Sequence, residues 1–132
     1  MAVSTSDIQI FFDNYGVALA TSDLPKIVNA WSIPSLVING ENSVAVSNRN
    51  EVEEFFKCAI SDYQSNGITS TTPSIQKVDC IAPNLTAVHV NWDLCSHDGM
   101  NRGAEAMYYV IREHKKNQFI IDFCAAISPL EH

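Results

Sequence analysis

Two residues in this chain have the type and the setting to carry chemistry: a tyrosine on an apolar helical stripe and an aspartate inside an apolar run. Asp122 sits in Phe119-Ile-Ile-Asp-Phe-Cys-Ala-Ala, and a carboxylate in such surroundings is almost never buried without a partner. It either pairs across a sheet, with Arg112 as the obvious partner, or faces inward, where dehydration raises its pKa toward that of a working general acid or base. Tyr15 also has two readings. Its hydroxyl either enters a cavity and binds a carbonyl, or belongs to a packed core and reaches a backbone group or water. Trp31 and Trp92 either line a pocket for a flat apolar ligand or fill the core, and Phe56 and Val90 are candidates for the same lining.

Other chemistries find less support. His89 and Cys95 share a strand face but stand roughly 20 Å apart at about 3.3 Å per residue, whereas metal ligands must converge to about 2 Å from the ion. His97 falls in a turn. Cys58, Cys80, Cys95 and Cys124 are widely spaced with no Cys-x-x-Cys pair, so they read as buried reduced thiols rather than disulfides. Neither a phosphate loop nor a nucleophile elbow is present. No metal and no cofactor are expected.

With 132 residues the chain has the length of one domain, expected over residues 1–128. The remaining 129–132 form a tail in which Leu130-Glu131-His132 looks like the start of an expression tag. A formal net charge of -7 with only 8 Lys and Arg, scattered, argues against nucleic acid and anionic membrane as partners. No apolar window reaches membrane-spanning length, and the first residues lack a basic stretch followed by an apolar one, so a cytoplasmic protein is expected. Hydrophobic residues make up 46% against 17% charged, a balance that favours an oligomer or a lined cavity.

The elements that would position these residues are read from periodicity. Ser6 and Gln9 form a capping box ahead of Ile8, Phe11, Phe12, Tyr15 and Leu19, predicting a helix over 7–20. Gly16 inside it costs roughly 1 kcal/mol of propensity, which suggests close approach of another element. Ser22 and Asp23 cap a second helix carrying Pro25 in its first turn and ending at Trp31. Residues 35–39 and 43–46 read as a short hairpin around Gly40-Glu-Asn. Asn48 with Glu51 opens a third helix, striped by Val52, Phe55, Phe56, Ala59, Ile60 and Tyr63 and closed by Asn66-Gly67. Four long strands follow over 69–81, 85–95, 102–113 and 118–128.

The predicted architecture is α+β, in the order ααββαββββ: a cone-shaped, strongly curved, mixed or mainly antiparallel six-stranded sheet wrapped around three helices. This order, with Tyr15-x-x-Ala-Leu-x-x-x-Asp23-Leu-x-x-Ile27-Val and the following Trp31, resembles the NTF2-like superfamily in its SnoaL-like and ketosteroid-isomerase-like branches. The resemblance implies that Tyr15 falls where the isomerases carry the phenol that donates to a developing enolate oxygen. It implies that Asn39 falls where they carry the proton-moving carboxylate, a task an amide cannot perform. Their second oxyanion donor falls near Tyr108, again a phenol.

Three functions follow as expectations. The first is a pocket for an apolar small molecule with acid/base catalysis of isomerase, dehydratase or cyclase type, using Tyr15, Tyr108 and Asp122, with Trp31, Asn39, Phe56, Val90 and Trp92 around the ligand. The second is a binding domain without turnover. The third is an assembly domain in which Trp31, Phe56 and Trp92 touch and leave no volume. Under all three a homodimer is expected through the outer sheet face, to which Met107, Tyr109 and Ile111 are assigned by their shared parity.

Overall fold

The computed structural model describes residues 4–38, 42–116 and 118–127. In chain order the elements are α1 (Thr5–Ala20), α2 (Leu24–Asn29), β1 (Trp31–Ile38), β2 (Ser43–Val46), α3 (Arg49–Ser65), β3 (Ile68–Ala82), β4 (Leu85–Ser96), β5 (Asn101–Lys115) and β6 (Gln118–Ile127). This is the predicted order. No helix among the described residues is long and apolar enough to cross a membrane.

Local chemistry explains most boundaries. Asn48 accepts the Glu51 N–H at 3.0 Å and so caps α3, which stops at Asn66 before Gly67 at a positive φ of 68°. Asp23 accepts the Lys26 N–H to start α2, with Pro25 in the first turn. Ser6 lies inside α1 and does not cap it. The cap position belongs to Ser4, and Gln9 instead donates to Asp13 and to the Pro73 carbonyl. Trp31 opens β1 instead of ending α2, because Ala30 already terminates that helix.

The strands form one sheet in the order β2-β1-β6-β5-β4-β3. All neighbours are antiparallel except β1 and β6, which run parallel. The expected strongly curved cone is corrected by this arrangement. The order is linear, the edge strands β2 and β3 are not paired to each other, and the sheet is an open layer that neither closes nor curls strongly. A funnel would require the ladder to turn back on itself, and four-residue β2 offers little edge for that. The helices pack on one face of the layer, and the core lies in between, with Ile8, Phe12, Ile27 and Val52 facing Val88, Val90, Ile111 and Ile121.

Two features set which side chains enter that layer. Along β5, Met107, Tyr109 and Ile111 belong to the core or pack against it, so they face the helices and not the outer surface to which their parity assigned them. In β6 the pairs Ile111↔Ile121 and Val110↔Phe123 leave Asp122 as an extra residue. This bulge lets both Ile121 and Cys124 point inward although strict alternation would separate them. The cysteines also differ from expectation: all four are free, but Cys58 and Cys80 are exposed, Cys95 is half-buried, and Cys124 alone is buried.

Gly16 marks the closest contact between helix and sheet. A Cβ there would meet Trp92 Cζ3 at 2.9 Å and the Thr71 carbonyl oxygen at 3.0 Å, and Thr71 Oγ1 donates to the Gly16 carbonyl at 2.9 Å. Gly16→Ala should therefore lose about 1–3 kcal/mol to overpacking, of which about 1 kcal/mol is recovered as helix propensity. Urea unfolding measures the balance. A net loss with altered Trp92 fluorescence is expected, and a stabilised variant with unchanged fluorescence would contradict the contact.

Candidate functional site

Between α3 and the helix-facing side of the sheet lies a cavity of about 540 Å³. Tyr15, Trp31, Phe56, Trp92, Tyr109 and Cys124, all buried, form its inner part. Asp62, Asn66, Arg102 and Glu105, all exposed, stand at its mouth. A second and more open hollow of about 630 Å³ lies between α1, α2 and the β5–β6 turn, and Tyr15 borders both. The dehydrated titratable groups gather in the first.

Two hydrogen bonds organise the inner part. Trp31 Nε1 donates to the Tyr15 hydroxyl at 3.0 Å, and Trp92 Nε1 donates to the Tyr109 hydroxyl at 3.0 Å. An indole N–H can only donate, so each phenol oxygen acts as acceptor and keeps its own proton. Neither O–H is donated to a described residue. Burial pushes both phenol pKa values well above their ordinary value, so both remain neutral donors. Tyr15 also contacts the Trp92 and Phe56 rings, with centroids 6.1 and 6.5 Å away.

The acidic group is Glu105, the register partner of Trp92. It is exposed by total area, yet the surrounding protein removes enough water from its carboxyl to raise its pKa above the ordinary value. Among the described residues it makes no ion pair and no hydrogen bond. Its charge reaches Tyr63 and Cys124, although burial is the larger cause of the rise of each to about 12. Cys124 is therefore a neutral thiol and a poor nucleophile. Glu105 and Tyr109 share a strand face four residues apart, roughly 13 Å along the backbone.

The sequence-predicted residues divide between two sides of the sheet. Tyr15, Trp31, Phe56 and Trp92 line the cavity. Trp31 and Phe56 touch at 5.6 Å, while the space bounded by Trp92 stays open. Val90 is buried in the core but does not border the cavity. Asn39 lies outside the described residues. Asp122 is on the far face, where its Oδ2 accepts Arg112 Nε at 2.9 Å. Tyr108 is also there, its ring edge-on to His89 at 4.8 Å. The carboxylate and the second phenol that border the cavity are Glu105 and Tyr109, in place of the inward-facing Asp122 and Tyr108 that were expected.

Sequence reading passed over Glu105, although a signal existed. Glu105 is a lone charge between Ala104 and Ala106, on the same parity as Met107, Tyr109 and Ile111. Once that parity is known to face the helices, Glu105 falls on the cavity side of the sheet.

Comparison with known proteins agrees with this geometry at the level of fold. No curated protein matches the chain significantly. An NTF2-like protein of unknown function from Shewanella oneidensis superposes with a TM-score of 0.70 at 12% identity, covering 92% of this chain and 97% of its own. A cystatin-like domain of unknown function from Nostoc punctiforme gives 0.72 at 16%, covering 98% and 81%. A ketosteroid isomerase-like protein from Erwinia carotovora atroseptica gives 0.63 at 13%, covering 94% and 96%, again a likeness of fold. Residues 6–126 match the family described as NTF2-like protein (DUF6841), and the chain belongs to that family.

Proposed function

We propose that the cavity binds a small, mostly apolar molecule bearing a carbonyl or hydroxyl, and that Glu105 moves a proton to or from it. The observation that carries this reading is an unpaired, partly dehydrated carboxyl facing a hollow whose inner end holds two neutral phenols with protons to donate. In the base direction, the Glu105 carboxylate takes a proton from a carbon next to the carbonyl. The electron pair moves onto the carbonyl oxygen, and Tyr15 or Tyr109 donates to that oxygen as its charge grows. Return of the proton to another carbon would complete an isomerisation; transfer of the same proton from Glu105 to a β-hydroxyl, which leaves as water while the enolate pair forms the α,β double bond and the carbonyl is restored, would complete a dehydration.

Exchange of the α-protons of 2-tetralone in D2O, followed by NMR, tests the proton-transfer step. The protein is expected to accelerate exchange, and Glu105→Gln to reduce the protein-catalysed rate by at least about 100-fold. An unchanged rate in the variant would remove Glu105 from this role. A 2-tetralone that binds but exchanges no faster than in buffer would leave a binding domain without turnover.

The raised pKa also predicts a pH effect on stability. The folded chain holds the Glu105 proton more tightly than the unfolded chain, so stability is lost as pH rises through the folded value. Glu105→Gln should therefore raise the melting temperature at pH 7, with the difference vanishing below the ordinary value of 4.5. A gain of equal size at both pH values would contradict it.

A homodimer is proposed through the far face of the sheet, because Tyr108, Val110, Ile120 and Phe123 are only half-buried there. Light scattering should give twice the 14.6 kDa chain mass. A concentration-independent mass of one chain would exclude it.

A further inference from the structure

We infer that the ligand of this cavity carries a carboxylate at the end facing the mouth, and that Arg102 selects it. This rests on the small-molecule reading above and adds the charge of the molecule. The first support is a backbone irregularity. β5 pairs with β4 as Leu94↔Gly103 and Cys95↔Asn101, which leaves Arg102 as the extra residue of a bulge. Strict alternation would place Arg102 on the face opposite Glu105, Met107 and Tyr109. The bulge re-aims it, and Arg102 borders the cavity together with those three. Asn101 Oδ1 accepts the Gly103 N–H at 2.8 Å to brace the bulge, and Gly103 takes a φ of 148°, a conformation that favours glycine.

The second support is that the guanidinium is held in a long ion pair with Asp98 while its hydrogen-bond donors stay uncommitted. Asp98 Oδ2 lies 4.0 Å from Arg102 Nη2, beyond hydrogen-bond reach, while Asp98 Oδ1 already accepts Ser96 Oγ and the Met100 N–H. Among the described residues no N–H of Arg102 is donated. Its planar fork matches a carboxylate in a two-point contact that neutral groups cannot equal. Arg102 is also the one Lys, Arg or His among the described lining residues. Asp62 and Glu105 border the same mouth but neither pairs with it.

Calorimetric titration with 2-naphthylacetate, 2-naphthylacetamide and 2-(2-naphthyl)ethylamine tests this on the full chain. The acid is expected to bind about tenfold tighter than the amide, with a preference that shrinks as salt rises. Arg102→Gln should abolish the preference and leave amide binding unchanged. Gly103→Ala, whose Cβ would meet nothing within 4 Å, should weaken the preference through the bulge alone. Equal binding of acid and amide by the wild type, tighter binding of the amine, or an equal loss for both probes in Arg102→Gln would overturn the assignment while leaving the apolar pocket standing. Failure of all three probes to bind would instead overturn the small-molecule reading, and this inference with it.

Discussion

The site depends on the need of two buried indoles to place their N–H groups. Trp31 and Trp92 are almost fully enclosed, and a buried donor left unpaired costs about 1–3 kcal/mol. Each is paired to a phenol oxygen, which holds Tyr15 and Tyr109 in place and turns them into donors with a proton left over. The same enclosure that requires these bonds removes water from the cavity, so the phenols stay neutral and nearby carboxyl and thiol groups hold their protons more tightly. Structure and electrostatics here have one cause, the burial of aromatic surface between a helical layer and a sheet.

The backbone makes that burial possible in two ways. Gly16 lets α1 settle onto β3 and β4 until the Trp92 ring and Thr71 leave no room for a methyl group. The bulges at Asp122 and Arg102 then change which residues of β6 and β5 share a face. One directs Cys124 inward while Asp122 pairs with Arg112 on the far side. The other sets an arginine beside Glu105 at the mouth. An open sheet suffices for this arrangement, since the hollow is the gap between helices and sheet and does not need a closed funnel.

Much of the fold was legible from local signals. The caps at Asp23 and Asn48, the stop at Asn66-Gly67 and the turn residues between strands act over a few residues, and the element order followed from them. Tyr15, Trp31, Phe56 and Trp92 were legible as cavity candidates because large aromatics on apolar stripes must meet across the core. Tyr108 was misplaced, and of the two readings of Asp122 the cross-sheet pair with Arg112 held while the inward one did not, because facing depends on register, and a single extra residue or a wrong parity moves a side chain to the other side of the sheet. Glu105 was passed over for the same reason: the β5 parity containing it was assigned to the outer surface. The curvature of the sheet was not legible, since it depends on how the strand edges meet and not on the pattern within any strand.

The central claim is that Glu105 is a carboxyl kept partly dry and unpaired at the opening of an aromatic hollow. A 13C NMR titration of its side-chain carboxyl tests this most directly. The account predicts a midpoint above the ordinary 4.5 that falls toward that value when Trp92 is replaced by a small polar residue. A midpoint at or below 4.5 in the wild-type chain would show a solvated or ion-paired carboxylate and would contradict the account.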